Sequence, residues 1–384
     1  MGNTCRHASL VLPNERFQSL LDSVREAGYE LVGPTVRDRA IVYEPIDGVE
    51  DLPSGWIDVQ EGGAYRLERS REPSLFGFTV GPHSWKKFLH PPRVQLWKAT
   101  RSDRGLELVV GEDSPPQYAF LGVRPCEVAA IAIQDRVFTG GEHVDPTYAK
   151  RRSGALVIAV QCSRAAATCF CASMGTGPRA DDGFDLALTE RIDGDAHDFV
   201  VEIGSDRGAE VVAALGLQAA GESDTTAALK ISENTASQMQ REMNPMIARD
   251  VLSRNIEHPR WKQTAERCLA CGNCTMVCPT CFCTTVEDST NLAGNEAERV
   301  RHWDSCFSTD FSYIHGGSVR RSTKSRYRQW ITHKLSSWHG QFDGSGCVGC
   351  GRCITWCPVG IDITEETEAI RASELVSAQA GTGG

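Results

Sequence analysis

The sequence contains the same cysteine pattern twice, and this repeat limits what the chain can fold into more than any other feature. Each copy reads C-x2-C-x2-C-x3-C followed by proline, and 68 residues separate the two copies. In such a run three thiolates on a tight loop bind three corners of one cubane cluster, and the fourth points away to the other cluster. The repeat therefore predicts two [4Fe-4S] clusters. The predicted ligands are Cys268, Cys271, Cys274 and Cys357 for cluster 1, and Cys347, Cys350, Cys353 and Cys278 for cluster 2.

Zinc is the alternative occupant of these two sites. A structural zinc ion needs four ligands, but two C-x2-C pairs usually supply them. The triple spacing with the closing C-P is more specific, and it favours iron–sulfur clusters. Gly272, Gly349 and Gly351 lie within the runs, where glycine lets the backbone approach the inorganic sulfides and direct N–H groups at them.

A third set of cysteines lies upstream of the repeat. Cys126 and Cys162 each follow an apolar run that reads as a buried strand, and ligands gather at the carboxyl ends of strands in open α/β sheets. Cys169 and Cys171 are two residues apart, which places both sulfurs on one side of an extended segment. We call Cys126, Cys162, Cys169 and Cys171 the third cysteine set. It predicts a third metal centre, [4Fe-4S] before zinc, with plain buried thiols as the alternative.

Four of the 16 cysteines remain. Cys281, Cys283 and Cys306, here called the thiol trio, are one ligand short of a cluster, and we expect them to pack as small apolar residues around the clusters. Cys5 lies near the N-terminus, and we expect no role for it.

Composition excludes several classes of protein. The chain has 384 residues and a net charge of −10, which argues against a small secreted disulfide scaffold and against a nucleic-acid binder. The basic residues between Arg320 and Arg328 are accordingly expected to form a solvated helix face or a counter-charge to the clusters. No stretch approaches the roughly 20 apolar residues of a membrane span, and no signal peptide is recognisable, so we expect a cytoplasmic protein without membrane insertion.

The sequence contains neither a recognisable nucleotide-binding glycine loop nor a recognisable set of catalytic residues.

The hydrophobic pattern divides the chain into regions. Residues 1–225 predict a mixed region, α+β and α/β in character, with an early amphipathic helix on Phe17, Leu20, Leu21 and Val24 and near-continuous apolar strands at 118–123 and 155–160. Residues 226–371 lose the strand pattern and predict an α-helical dicluster ferredoxin domain. Residues 372–384 are small and polar, and they predict a disordered tail.

Longer strings within the chain indicate a family. They are F-L-G-V-R-P-C (120–126), T-C-F-C-A-S-M-G (168–175), C-P-T-C-F-C (278–283), W-D-S-C (303–306) and G-C-V-G-C-G-R-C (346–353). With these strings the chain resembles the β subunit of cytoplasmic NAD(P)-linked [NiFe] sulfhydrogenases, and it is also similar to one of the subunits of anaerobic sulfite reductase. The likeness covers nearly the whole chain. One departure is Glu127, where the string R-P-C-D leads us to expect Asp.

The resemblance implies a non-catalytic electron-transfer subunit. Its partners would be a FAD- and NAD(P)-binding subunit and the small and large subunits of a [NiFe] hydrogenase, with which it would form a hetero-oligomer. The alternative partner is a sirohaem sulfite reductase subunit. A self-sufficient iron–sulfur reductase and a zinc-stabilised nucleic-acid module are the remaining alternatives.

Overall fold

The computed structural model describes residues 8–111 and 114–381. The strands are β1 (Ser9–Pro13), β2 (Glu30–Arg37), β3 (Ala40–Pro45), β4 (Trp56–Glu61), β5 (Ala64–Arg69), β6 (Arg93–Ser102), β7 (Gly105–Val110), β8 (Tyr118–Val123), β9 (Leu156–Val160), β10 (Leu186–Asp193), β11 (Ala196–Ile203), β12 (Gln218–Ala219), β13 (Thr284–Thr290), β14 (Glu296–Trp303), β15 (Tyr313–Ile314) and β16 (Gly317–Ser318). The helices are α1 (Phe17–Glu26), α2 (Lys86–Leu89), α3 (Pro125–Thr139), α4 (Pro146–Ser153), α5 (Cys171–Met174), α6 (Asp206–Ala213), α7 (Glu222–Ser237), α8 (Pro245–Arg254), α9 (Arg260–Arg267), α10 (Asn273–Met276), α11 (Thr323–Thr332), α12 (Trp338–Phe342), α13 (Arg352–Thr355) and α14 (Ile363–Gly381). Short 3-10 turns lie at Asn14–Arg16 and Val49–Asp51, and a π-helical turn at His333–Ser337 joins α11 to α12.

An eight-stranded sheet organises the first half of the chain. Its order is β12-β1-β11-β10-β9-β8-β2-β3, with β2, β8, β9 and β10 parallel to their neighbours at the centre and antiparallel strands outside. The mixed α/β prediction is confirmed, because β8 and β9 are adjacent parallel strands joined through α3 and α4. Both strands are apolar throughout because helices and loops cover both faces of the sheet. Helix α1 buries the four predicted residues, Phe17, Leu20, Leu21 and Val24, in the core.

The second half contains strands that the sequence analysis did not predict. Between the two cysteine runs, β13 and β14 form a hairpin, and β14 pairs with β6 in a four-stranded sheet of order β13-β14-β6-β7. The prediction that this region lacks strands is wrong, since residues 284–290 pair with 296–303, and 296–303 also pair with a strand about 200 residues earlier. A helical cluster made by α8, α9, α11 and α14 forms the rest, with Trp261, Tyr327 and Trp330 in its core.

The two halves of the chain contact each other across the predicted domain boundary. The predicted boundary at 225/226 falls within α7, whose Thr235 donates to the carbonyl of Cys162 at 2.9 Å. Helix α14 continues through the segment for which we expected disorder as far as Gly381, because Ala, Glu and Leu at 372–376 favour a helix. Cys5 and residues 382–384 lie outside the described residues. No helix in the described ranges combines the length and the apolarity needed to cross a membrane.

Candidate iron–sulfur centres

The first cysteine run forms a loop between α9 and α10 that surrounds a cavity. Cys268, Cys271, Cys274 and Cys357, the predicted ligands of cluster 1, all line this cavity, together with Tyr327 and Trp330 on α11. The loop turns sharply at Ala270 and Gly272, which have φ angles of +51° and +77°. The turn directs the amide of Ala270 at the sulfur of Cys268, with 3.4 Å between N and Sγ. The fourth thiol, Cys357, accepts from the amide of Ile361 at 3.3 Å.

The second run repeats this geometry. Gly349 and Gly351 have φ angles of +65° and +75°, and the amide of Gly349 lies 3.4 Å from the sulfur of Cys347. Glycine is needed at both positions because an added Cβ would lie 2.7 Å from the backbone of Cys171 at Gly349 and 2.4 Å from the carbonyl oxygen of Thr168 at Gly351. Cys347, Cys350 and Cys353 each interact electrostatically with Cys278. The four predicted ligands of cluster 2 therefore lie together.

The two loops differ in depth. Leu269 and Val348 occupy equivalent positions in the two runs, but Leu269 is 63% exposed and Val348 is 2% exposed. Likewise Cys271 is exposed and its counterpart Cys350 is buried. Cluster 1 is thus predicted at the surface and cluster 2 in the interior.

The electrostatics of the thiols fit the binding of cationic iron. Burial, and then the neighbouring thiols Cys268 and Cys357, raise the pKa of Cys274 well above its ordinary value. Burial also raises the pKa of Cys347 to about 12. Thiols crowded in this way ionise only when a positive charge offsets their repulsion, and iron would supply that charge. Within residues 8–111 and 114–381, no three side chains of Cys, His, Asp or Glu meet the geometry for a single metal ion.

The third cysteine set lies against the second loop. Cys126 begins α3 after β8, Cys162 follows β9, and Cys169 and Cys171 lie on the segment leading into α5. Electrostatic interactions link Cys126 to Cys171, and Cys171 to both Cys169 and Cys162. The segment is held to the second loop by a 2.9 Å bond from the amide of Phe170 to the carbonyl of Gly349. Cys126 is thus linked through Cys171 to Cys169 and Cys162, and Cys350 lies within electrostatic range of the group. A third metal centre at these thiols stays a prediction.

The thiol trio lies beside Cys278. Cys281 hydrogen-bonds to Cys278, and Cys283 hydrogen-bonds to Cys306, which in turn interacts with Cys274. The bond from Cys281, and then the ammonium of Lys334, hold the pKa of Cys278 well below its ordinary value, in contrast to Cys274, Cys347, Cys350 and Cys353. The trio thus contacts Cys278 of the cluster 2 set and interacts electrostatically with Cys274 of the cluster 1 set.

Sequence reasoning did not identify the buried cations around cluster 2. Lys334 and Lys86 are almost fully buried, and Arg352 is completely buried between Cys350 and Glu127. One signal was available for Lys334, because Trp330, Ile331 and Trp338 occur at helical spacing around it and place it on the apolar face. In the basic run, Lys324 and Arg328 instead pair with Glu257 at the surface.

Comparisons with known proteins agree with this geometry. Residues 267–361, which contain both cysteine runs, match the family model of a 4Fe-4S dicluster domain. The chain is 30% identical over 363 residues to sulfhydrogenase 2 subunit beta of Pyrococcus furiosus, and the match covers 94% of this chain and 97% of that protein. The chain belongs to the sulfhydrogenase β-subunit family. No solved structure was found to match it.

Membership of the sulfhydrogenase β-subunit family establishes the general type of chemistry that the chain takes part in. The chain is an iron–sulfur protein with an electron-transfer role, and residues 267–361 form a 4Fe-4S dicluster domain. The matched relative is by its name one subunit of a sulfhydrogenase.

Proposed function

We propose that this chain relays single electrons between a FAD- and NAD(P)-binding subunit and a [NiFe] hydrogenase module. The relay couples oxidation or production of H2 to NAD(P). The match to a sulfhydrogenase β subunit over almost the full length of both chains supports this assignment. The place of action is the cytoplasm.

The proposal rests on the positions of the ligand sets, the first of which lies at the surface and the next in the interior. The exposed first loop holds cluster 1 through Cys268, Cys271, Cys274 and Cys357, and the buried second loop with Cys278 holds cluster 2. Cys353 of the second set lies within electrostatic range of Cys274 of the first. When bound, the [4Fe-4S] clusters supply reversible one-electron chemistry.

The third cysteine set extends this series on its inner side. It takes a third [4Fe-4S] cluster through Cys126, Cys162, Cys169 and Cys171, and Cys350 provides the contact with cluster 2. The order is then cluster 1 at the surface, cluster 2, and the third centre beside the eight-stranded sheet. The surface end of such a series, at cluster 1, is placed to meet a redox partner.

The residues around these sites serve to hold and insulate clusters. Tyr327, Trp330 and Phe307 cover cluster 1 with aromatic rings, and Thr168 and Thr355 hydrogen-bond to each other at 2.9 Å behind the second loop. We therefore assign no catalytic residue to the chain, and its substrate is the electron.

Native purification under anaerobic conditions tests the proposal. We expect the chain to co-purify with a nickel-containing subunit and a flavin-containing subunit, and to contribute [4Fe-4S] signals to the EPR spectrum of the reduced complex. A sirohaem-containing partner would replace the hydrogenase role with a sulfite reductase role. FAD bound to the chain alone, or zinc in place of iron, would contradict the relay.

A further inference from the structure

Lys334 is a buried cation that has no acidic partner in the part of the chain that the structure describes. It lies on the π-helical turn between α11 and α12, and the residue is 2% exposed. Its Nζ lies 3.3 Å from Sγ of Cys278, 3.0 Å from Oγ1 of Thr280 and 3.1 Å from the carbonyl oxygen of Gly346. Among residues 8–111 and 114–381, no carboxylate pairs with it.

A buried ammonium of this kind requires a nearby anion. Removing a charge from water is unfavourable unless an opposite charge and hydrogen bonds compensate for the lost hydration. The two oxygen acceptors around Lys334 are neutral, so the thiolate of Cys278 is its counter-charge. Lys86 lies on the other side, where Nζ contacts the carbonyl oxygen of Cys281 at 3.1 Å and the ring of Trp303 at 4.0 Å.

Cluster 1 lacks the equivalent contact. Cys357 is the counterpart of Cys278 in the repeat, and its sulfur accepts from the backbone amide of Ile361. The position two residues after Cys357 is the half-exposed Val359, where Cys278 has the buried Thr280 that contacts Lys334. Within the described ranges, no Lys or Arg side chain hydrogen-bonds to a sulfur of the cluster 1 set.

The cation on the cluster 1 side is Arg326 of α11. It interacts electrostatically with Cys268, but its Nη1 donates to the carbonyl oxygens of Arg320 and Arg321 at 3.1 and 2.9 Å. Its hydrogen bonds are thus directed at the backbone, and it acts on the sulfur only at longer range.

The other cation of cluster 2 is already neutralised. Arg352 lies against Cys350, but its guanidinium forms a buried ion pair with Glu127. The net positive charge beside cluster 2 is therefore carried by the lysines, and Lys334 is the one that touches a ligand sulfur.

We propose that Lys334 raises the reduction potential of cluster 2 above that of cluster 1. Reduction adds one negative charge to a cluster, and a fixed cation beside a ligand sulfur in a low-dielectric interior stabilises that charge. Lys334 thereby favours the reduced state of the interior cluster over that of the surface cluster. This inference rests on the proposed dicluster relay, and it adds the residue that sets the order of the potentials.

The test is an EPR-monitored redox titration of the native complex carrying Lys334→Met. Methionine keeps the length and removes the charge. Lys324→Met is the matched control, because Lys324 lies on the preceding helix, half-exposed, and pairs with Glu257 at the surface. Lys334→Arg keeps the charge.

We expect Lys334→Met to shift one [4Fe-4S] couple to lower potential and to leave the other couples unchanged. Lys334→Arg and Lys324→Met should leave all couples close to those of the unmodified complex. Unchanged couples in Lys334→Met, or an equal shift in Lys334→Arg, would overturn the role of Lys334. Absence of [4Fe-4S] signals from the unmodified complex would instead overturn the relay itself.

A second variant covers the case in which Lys334→Met fails to hold cluster 2. Thr280→Val removes the hydroxyl that lies 3.2 Å from Sγ of Cys278 and leaves the charge in place. A smaller negative shift of the same single couple supports electrostatic tuning at this sulfur. No shift in Thr280→Val, together with loss of the cluster in Lys334→Met, would show that Lys334 acts only in folding and would overturn the proposal.

Discussion

Arg352 and Glu127 form an ion pair whose side chains are 0% and 1% exposed, with 2.6 Å between Nη2 and Oε1. The pair joins the second cysteine loop to helix α3 of the first half. Glu127 also accepts from the hydroxyl of Tyr43 at 2.7 Å and from the indole of Trp85 at 3.1 Å. Because the carboxylate is fully hydrogen-bonded at the meeting point of both halves, it fixes the position of the second cysteine loop relative to the eight-stranded sheet.

Removing this carboxylate should destabilise the protein strongly. Glu127→Ala leaves the guanidinium buried without a counter-charge, and we expect the free energy of unfolding to fall by about 3–5 kcal/mol. Thermal and denaturant unfolding followed by circular dichroism would measure the change. Glu298→Gln is the control, because its pair with Arg93 is solvent-exposed and contributes at most about 1 kcal/mol. Equal losses in the two variants would contradict the importance of the buried pair.

Iron analysis should separate ligands from packing cysteines. Cys353→Ala removes a proposed ligand of cluster 2, and we expect iron to fall by about four atoms per chain. Cys306→Ala, in the thiol trio, should retain the iron content of the unmodified protein. Loss of a full cluster from Cys306→Ala would show that the trio contributes a ligand, and retention of all iron in Cys353→Ala would remove Cys353 from the set.

The third cysteine set can be tested in the intact chain. A fragment ending near residue 225 is unsuitable, because Phe170 and Gly349 hold the set against the second loop. With three clusters the full-length protein should contain about twelve iron atoms, and Cys169→Ala should lower this number to about eight. An iron content of about eight that is unaffected by Cys169→Ala would instead assign these cysteines as buried thiols.

Electron exchange with a partner should depend on the exposed loop of cluster 1. Leu269→Glu places a charge on the apolar surface beside Cys271, and we expect at least a severalfold slower electron exchange with the partner while the iron content stays unchanged. Stopped-flow reduction of the clusters would measure the rate. Leu292→Glu is the matched control, because Leu292 is fully exposed in the turn between β13 and β14. Equal rates in all three proteins would place the partner elsewhere.

His90 predicts a specific pH dependence of stability. Burial, and then Arg301 and Lys86, lower the pKa of His90 to about 3, so the imidazole stays neutral in the folded protein. In the unfolded chain His90 takes up a proton near the ordinary pKa of 6.5, whereas in the folded protein it stays neutral. Protonation of His90 therefore favours the unfolded state, and the free energy of unfolding, unaffected above pH 6.5, decreases as the pH falls from 6.5 toward 3. The slope is at most about 1.4 kcal/mol per pH unit.

Replacing His90 isolates this effect. His90→Phe should flatten the pH dependence of unfolding between pH 7.5 and 5.5, since its neighbours Phe138 and Trp303 are aromatic. His143→Gln, at an exposed position, should leave the slope as it is. An unchanged slope in His90→Phe would show that His90 takes up its proton equally in both states.

The sequence predicted those features that depend on local pattern. The strands at 118–123 and 156–160 are recognisable because they are apolar on both faces, and α1 because its apolar residues recur at helical spacing. Strand β14 was missed because one of its two partners, β6, lies about 200 residues earlier, and no local signal records that contact.

In the candidate site, too, the features set by local sequence spacing were predicted and those set by tertiary contacts were not. Spacing grouped the cysteines into sets, and the four thiols of the cluster 1 set line one cavity. The burial of each cysteine loop was not predictable, because Leu269 and Val348 are both apolar and only the tertiary fold exposes Leu269 and buries Val348. The charge beside Cys278 was also missed, since Lys334 approaches it from 56 residues away.

Reduction of the clusters by hydrogen tests the central claim most directly. The purified native complex would be frozen after exposure to H2 without NAD(P), and again after addition of the oxidised nucleotide, and examined by EPR. The proposed relay predicts that [4Fe-4S] signals of this subunit appear under H2, disappear when the nucleotide is added, and are diminished by Cys353→Ala. Signals that do not respond to H2, in a complex whose nickel site reacts normally, would contradict it.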